Sequence, residues 1–165
     1  MPKEIGNLSS LKYLSVGGNI LASLPQEIGN LSFLETLNLG INKLKKLPEE
    51  IGKLSRLEIL NLDLNKLKKL PEEIGNLSSL TNLYLHGNDI VKLPREIGNI
   101  YSLEELSLEM NENLSCRPLE ISNLHNLRGI YLIGTKIGLA QKKALKKRLP
   151  KCNIYDGNPR KINKR

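Results

Sequence analysis

Leucines recur along the chain in short alternating runs. Each run has the spacing LxxLxL, as in Leu57, Leu60 and Leu62. Alternation of apolar and polar residues is typical of a strand with one buried face. The asparagine that follows each run returns every 23 residues, at Asn19, Asn42, Asn65, Asn88 and Asn111. A repeat of constant length predicts strands stacked side by side in a parallel sheet.

The five asparagines stand where the chain leaves each strand. A short amide side chain can bond the backbone of its own turn and of the adjacent turn. We therefore predict that Asn19, Asn42, Asn65, Asn88 and Asn111 form an internal ladder.

After each asparagine the unit continues as xLxxLPxxIGxL. The prolines at 25, 48, 71 and 94 begin the return segment, where a fixed φ suits a turn or a first helical position. The segments that follow, such as PEEIGNLSSL, are predicted to be short helical turns on the outer, convex side. A single unit cannot bury its own leucines, so stability must come from contacts between neighbouring units.

The regular pattern changes near the C-terminus. Leu103 and Leu127 are 24 residues apart, which predicts a bulge around residues 112–117, and Thr135 replaces the next expected asparagine. The segment LAQKKALKKRL, residues 139–149, is predicted to be an amphipathic cap helix. We place Ala140, Ala144, Leu145 and Leu149 on one side of its helical wheel and Lys142, Lys143, Lys146 and Lys147 on the other.

The LxxLxL spacing returns once more at Leu149, Cys152 and Ile154. It predicts a last short strand in which Cys152 and Ile154 point inward. We therefore divide the chain into leucine-rich repeats at 1–137, a C-terminal cap helix and strand at 138–156, and a basic tail at 157–165.

The unit LPEEIGNLSSLxxLxLxxNxL resembles the 23-residue class of leucine-rich repeats found in many bacterial proteins and intracellular eukaryotic scaffolds. The ending LKKRLPKCNIY is similar to the terminal cap of leptospiral and related bacterial repeat proteins. The resemblance implies an α/β solenoid, a fragment of a right-handed horseshoe with a parallel concave sheet of about six to seven strands. It also implies that the concave sheet binds another macromolecule, with host or cell-surface proteins as the suspected targets.

Residues between the strand leucines would face the concave surface and determine what it binds. We propose Tyr13, Asn38, Asn61, Asp63, Tyr84, His86, Glu105, Glu109 and Tyr131 as partner-binding residues. Tyrosine gives a broad contact area at little entropic cost and is enriched in interfaces. It also suits an exposed strand surface for purely structural reasons.

A reaction or metal site is conceivable at Asp63, His86 and Glu109, which follow three successive strands in the same column. The other histidine, His125, belongs to the convex side and cannot join them. The sequence contains no glycine-rich phosphate loop, and its two cysteines form no CxxC pair. We therefore predict a non-enzymatic protein with no cofactor, no metal and no small-molecule substrate.

The formal charge of +8 is concentrated at one end of the chain. Residues 138–165 hold ten of the 25 Lys and Arg and one of the 17 acidic residues, so the repeats are nearly neutral. The basic C-terminal cap leaves an alternative function, binding of nucleic acid or an anionic surface, although we expect a protein rather than a nucleic acid as the partner. A second basic edge is expected from two runs of lysines, and a pair of glutamates follows each run and compensates its charge. These lysines are Lys43, Lys45, Lys46, Lys66, Lys68 and Lys69.

The opening PKEIGNLSS has neither a basic n-region nor an apolar h-region, so no export signal is recognised and the compartment is undetermined. The first strand has only a half-repeat before it, so we expect a monomer or a weak dimer through that edge. Cys116 is expected in the bulged loop, where it would react before the buried Cys152.

Overall fold

The structure, a computed structural model, describes residues 1–115 and 121–157. Seven parallel strands of three residues form one open sheet in chain order. They are β1 (Tyr13–Ser15), β2 (Thr36–Asn38), β3 (Ile59–Asn61), β4 (Asn82–Tyr84), β5 (Glu105–Ser107), β6 (Gly129–Tyr131) and β7 (Asn153–Tyr155). The sheet confirms the predicted repeat solenoid, and each strand pairs in register with the next.

The strand leucines point inward as predicted. Leu37, Leu60, Leu83 and Leu106 are in register and completely buried, and Ile130 continues the row. This arrangement follows from the LxL pattern, which places every second side chain on the same face. The core is built almost entirely of leucine and isoleucine.

Within the described residues, short 3-10 helical turns form in five of the return segments, at Lys3–Asn7, Gln26–Asn30, Glu49–Lys53, Glu72–Asn76 and Arg95–Asn99. A proline with extended backbone immediately precedes each turn. Its fixed φ sets the direction in which the chain enters the turn, and the turn requires no backbone N–H donor at this position. The glycine within the turn permits close stacking. A Cβ at Gly29 would lie 2.7 Å from the Glu50 carbonyl oxygen of the next unit.

The predicted asparagine ladder is present. Asn65 Nδ2 donates to the carbonyl oxygens of Leu39 and Leu62 at 3.0 and 3.1 Å, and the Leu44 N–H donates to Asn65 Oδ1 at 2.9 Å. Asn42, Asn88 and Asn111 make the equivalent bonds. Each buried amide therefore joins its own unit to the preceding one.

The ladder changes at both ends. Asn19 is exposed, and its side-chain amide donates only within its own turn, to the Val16 and Gly17 carbonyl oxygens. At the other end, Thr135 donates its hydroxyl to the Leu132 carbonyl oxygen at 2.8 Å. This bond corresponds to one of the three carbonyl contacts that an asparagine makes at this position.

Helix α1 (Leu139–Arg148) packs at the C-terminal end and leads into β7. Gln141 Oε1 accepts a hydrogen bond from the Gly138 N–H at 2.8 Å, which satisfies a donor where the helix begins. Cys152 is completely buried and Ile154 is half-buried, in agreement with the predicted inward positions. The predicted boundaries of the repeat region (1–137), the cap (138–156) and the basic tail (157–165) stay a prediction.

The predicted faces of this helix are wrong in part. Leu145 and Leu149 are buried, but Ala140 and Ala144 are exposed. At about 100° per residue, both alanines lie more than 90° from the midpoint between the two leucines. The inner face instead includes the stems of Lys142 and Lys146, which were assigned to solvent.

These two lysines bind groups of the cap itself. Lys142 Nζ forms an ion pair with Asp156 Oδ2 at 3.2 Å, with side-chain exposures of 14% and 8%. Lys146 Nζ donates to the Cys152 carbonyl oxygen at 2.8 Å. Long lysine stems can cover apolar surface while their ammonium groups reach polar partners.

Strands β5 and β6 remain in register although 24 residues separate their paired positions. The extra residue is therefore accommodated outside the sheet. The predicted bulge at 112–117 lies partly outside the described residues, and Cys116 lies outside them altogether. Within the described part of the chain, no helix has the length and apolar character needed to cross a bilayer.

Candidate functional site

The outward strand positions form two rows across the concave face of the sheet. The first row is Tyr13, Thr36, Ile59, Asn82, Glu105, Gly129 and Asn153, and the second is Ser15, Asn38, Asn61, Tyr84, Ser107, Tyr131 and Tyr155. Six of the proposed partner-binding residues therefore share one surface. Asp63, His86 and Glu109 lie just beyond the carboxyl ends of β3, β4 and β5.

The asparagines at the end of β2 and β3 have a structural role that the sequence analysis missed. Asn38 Oδ1 accepts from the Gly40 N–H at 3.0 Å, and Asn61 Oδ1 accepts from the Asp63 N–H at 2.9 Å. An amide two residues before a backbone donor is the usual geometry of an Asx turn. Each asparagine thus ends its strand while remaining half-buried on the concave face.

A connected polar network spans β4 and β5. Asn82 Nδ2 donates to Tyr84 Oη at 2.9 Å and to Glu105 Oε2 at 3.1 Å, and the Tyr84 hydroxyl lies 3.3 Å from the same carboxylate oxygen. Thr81 Oγ1 lies 2.8 Å from Asn82 Oδ1 and 3.0 Å from the Glu58 carbonyl oxygen, and its one proton is shared between these two acceptors. The side chains of Asn82, Tyr84 and Glu105 are therefore held to one another by hydrogen bonds.

Two tyrosines stack beside this network. The rings of Tyr131 and Tyr155 have centroids 4.6 Å apart and are inclined by 10°. Both rings lie near Gly129, where an added Cβ would be 3.5 Å from Tyr131 Cε2 and 3.7 Å from Tyr155 Cε2. Tyr155 was missed as a surface residue, although the inward prediction for Ile154 already implies that its neighbours point outward.

The environment favours the protonated form of Tyr84 and Tyr131. Burial is the main cause that raises the pKa of Tyr84 and of Tyr131 above the usual 10.0, and the negative charge of Glu105 adds to both. Their hydroxyl groups are therefore hydrogen-bond donors throughout the physiological range. The arrangement suits recognition of a polar or cationic partner group.

Asp63 lies close enough to His86 and Glu109 for electrostatic interaction with both side chains. The His86 backbone N–H donates to Asp63 Oδ1 at 2.8 Å, so this carboxylate helps to hold the end of the next strand. Burial raises the pKa of Asp63, partly offset by that hydrogen bond. The described residues contain no group of three or more His, Cys, Asp or Glu side chains able to hold a metal ion.

The lysines before the glutamate pairs are all exposed along one loop edge. Lys46 and Lys69 line a shallow surface groove together with Glu49, Glu72 and the prolines between them. Opposite charges therefore alternate along this edge. This agrees with the compensated, solvated surface expected from the sequence.

Comparison with known proteins agrees with this architecture. The family model of the leucine-rich repeat region matches residues 2–83 and 37–153, almost the whole chain. The chain belongs to the leucine-rich repeat family. Proteins of this family are generally non-catalytic interaction modules. Comparison with curated proteins gives no match.

Similar solved structures come from bacteria and plants. A leucine-rich repeat protein of Leptospira interrogans is 32% identical over 93% of this chain, with a TM-score of 0.58, and the match spans 51% of that protein. The plant peptide hormone receptor RGFR1, solved in complex with RGF2, is 30% identical over 94% of this chain, with a TM-score of 0.71, and the match spans 30% of the receptor. The chain thus spans at most about half the length of these two relatives.

The same architecture recurs at lower identity. The functional domain of InlJ from Listeria monocytogenes is 22% identical over 98% of this chain and 37% of its own length, with a TM-score of 0.74. At this level the likeness concerns the fold alone.

Proposed function

We propose that the chain is a non-catalytic module that binds a protein partner through its concave face. The observation that carries this proposal is the pair of stacked tyrosines beside the network of Asn82, Tyr84 and Glu105. Aromatic side chains held on a rigid surface are typical centres of protein interfaces. The leucines supply the rigidity because they are packed on the opposite side of each strand.

A host or cell-surface protein is the partner class that we propose to test first. Support comes from the bacterial character of the repeat and cap and from the similarity to the Leptospira protein. The concave residues Tyr13, Asn38, Asn61, Asp63, Tyr84, His86, Glu105, Glu109 and Tyr131 stay a proposed contact surface, to which the structure adds Tyr155.

The structure gives less support to the alternative function, binding of nucleic acid or an anionic surface through the cap. Lys142 and Lys146 already bind Asp156 and a backbone carbonyl oxygen, whereas Lys143 and Lys147 are exposed. Fewer free ammonium groups mean fewer phosphate contacts and a smaller dependence on salt.

Capture of extracellular host proteins on the immobilised domain tests the proposal when matched variants are included. Tyr131→Ala should weaken capture about tenfold or more because it removes an aromatic residue at the centre of the interface. Tyr101→Ala is the control, since Tyr101 is a 62% exposed tyrosine outside the concave face. Equal capture by the two variants, or loss of capture only for Tyr101→Ala, would overturn the concave-face proposal.

A further inference from the structure

The concave face is acidic on a basic protein. Its fourteen outward strand positions contain one charged residue, Glu105, and no Lys or Arg, although the chain has 25 of these. Asp63 and Glu109, at the carboxyl ends of β3 and β5, add negative charge beside it. The field over this face therefore favours a cationic partner group.

Glu105 is half-buried among neutral donors. Asn82 and Tyr84 both contact its Oε2 atom, and no ammonium or guanidinium group of the described residues lies within ion-pair distance. In contrast, Glu35 and Glu104, on the flank of the sheet, are paired with Lys12 and Arg128. Within the described chain, the Glu105 carboxylate thus has no ion-pair partner.

A flat aromatic surface stands next to this carboxylate. Gly129, on β6, is the register partner of Glu105, and the Tyr131 ring lies close to it. Tyr155 covers the ring face on the side of β7, so the opposite face is turned toward β5, the strand of Glu105. Ser107, the register partner of Tyr131 on β5, has a small side chain and is itself buried, with 7% exposure.

We propose that Glu105 and Tyr131 form a binding site for an arginine side chain of the protein partner. This inference rests on the proposed function and specifies the chemistry of its contact. A guanidinium group is planar, so it stacks on the Tyr131 ring while its edge donates two hydrogen bonds to the Glu105 carboxylate. The ammonium group of lysine has the same charge, but it is not planar and cannot stack on the ring while donating two hydrogen bonds to the carboxylate.

Nuclear magnetic resonance titrations of the isotope-labelled chain test the site with three defined probes. Acetyl-arginine amide should shift the amide signals of Glu105, Gly129 and Tyr131 in a saturable way. Acetyl-lysine amide should bind several-fold more weakly, and neutral acetyl-citrulline amide should produce no saturable shift.

Matched variants assign the effect to the carboxylate. Glu105→Gln keeps the shape of the side chain and should weaken acetyl-arginine amide about tenfold. Glu49→Gln makes the same charge change at an exposed position of a return turn and should leave the affinity within about twofold. Unchanged spectra of β2 and β3 in each variant would show that the fold is preserved.

The result that would overturn the arginine site is an absence of saturable shifts at Glu105 and Tyr131, or equal affinity in Glu105→Gln and the native chain. Equal binding of the arginine and citrulline probes would overturn it as well. None of these results depends on capture of a partner protein. Loss of capture in Tyr131→Ala but not in Tyr101→Ala would still support concave-face binding, so the two proposals can fail separately.

Discussion

At the scale of single residues, the buried asparagines join neighbouring units through side-chain hydrogen bonds to the backbone. Each satisfies backbone groups of two neighbouring units that water cannot reach, and an unsatisfied buried group costs about 1–3 kcal/mol. An apolar side chain of similar size would fill the volume but leave these groups without partners. This explains why the position is asparagine in the four successive units of Asn42, Asn65, Asn88 and Asn111.

Asn65→Ala should lower the free energy of unfolding by about 3 kcal/mol because it removes four hydrogen bonds at a buried site. Asn19→Ala removes two exposed bonds within one turn and should cost about 1 kcal/mol or less. Urea unfolding followed by circular dichroism measures both. Equal losses for the two variants would contradict the ladder's role between units.

Cys152 should be a slow-reacting thiol. Burial raises its pKa to about 11, although Lys146 acts in the opposite direction. At pH 8 the reactive thiolate would then be at least about 100-fold scarcer than in an unfolded chain, where a free cysteine has a pKa of about 8.5.

A Cys116→Ser variant isolates this thiol for measurement. Its reaction with a chromogenic disulfide at pH 8 should be at least about 100-fold slower in buffer than in denaturant, and should accelerate as the pH approaches 11. Comparable rates in the native and unfolded chains would show that β7 does not bury Cys152.

At the scale of elements, the C-terminal cap is held by a nearly buried ion pair as well as by Leu145 and Leu149. Lys142 on α1 binds Asp156 just after β7, so the pair joins the helix to the last strand. Removing one partner of such a pair leaves the other charge without compensation.

Asp156→Ala should therefore destabilise the protein by about 2 kcal/mol and loosen the cap. Glu35→Ala breaks an exposed ion pair with Lys12, of 40% and 65% side-chain exposure, and should cost less than about 1 kcal/mol. Thermal unfolding gives the comparison, and hydrogen exchange in β7 reports local opening. Faster exchange with Glu35→Ala than with Asp156→Ala would contradict this role of the pair.

The strands and turns could be predicted because their signal repeats with a fixed period. Leu37, Leu60 and Leu83 occupy equivalent positions in successive units. Three copies of the same sequence pattern therefore predict the same inward direction. Helix α1 occurs only once in the described residues, so its inner face was predicted from a single helical wheel. That prediction placed the alanines inward and the lysines outward, whereas the alanines are exposed and Lys142 and Lys146 are half-buried. No periodic signal marks which way a lysine stem packs.

The concave site was predictable in outline only. The alternation identified Tyr84, Glu105 and Tyr131 as outward residues. The stacking of Tyr131 on Tyr155 and the amide that joins Tyr84 to Glu105 depend on side-chain rotamers and on the small residue at Gly129. Such details arise from three-dimensional packing between strands, which a linear pattern does not record.

At the scale of the whole molecule, the solenoid separates its charges. The concave face is acidic and aromatic, the edge of the return turns alternates in sign, and the cap is basic with two of its helix lysines occupied by internal contacts. This distribution predicts that association with a protein partner is centred on the sheet, where a rigid surface meets a favourable field.

Photo-crosslinking tests this central claim most directly. We would place p-benzoylphenylalanine at Ile59 or at Tyr101, both exposed large hydrophobic residues, of which Ile59 lies on the concave face and Tyr101 outside it. Irradiation of the domain with the captured partner should give a covalent product from position 59 and none from position 101. A product from position 101 alone would contradict binding through the concave face.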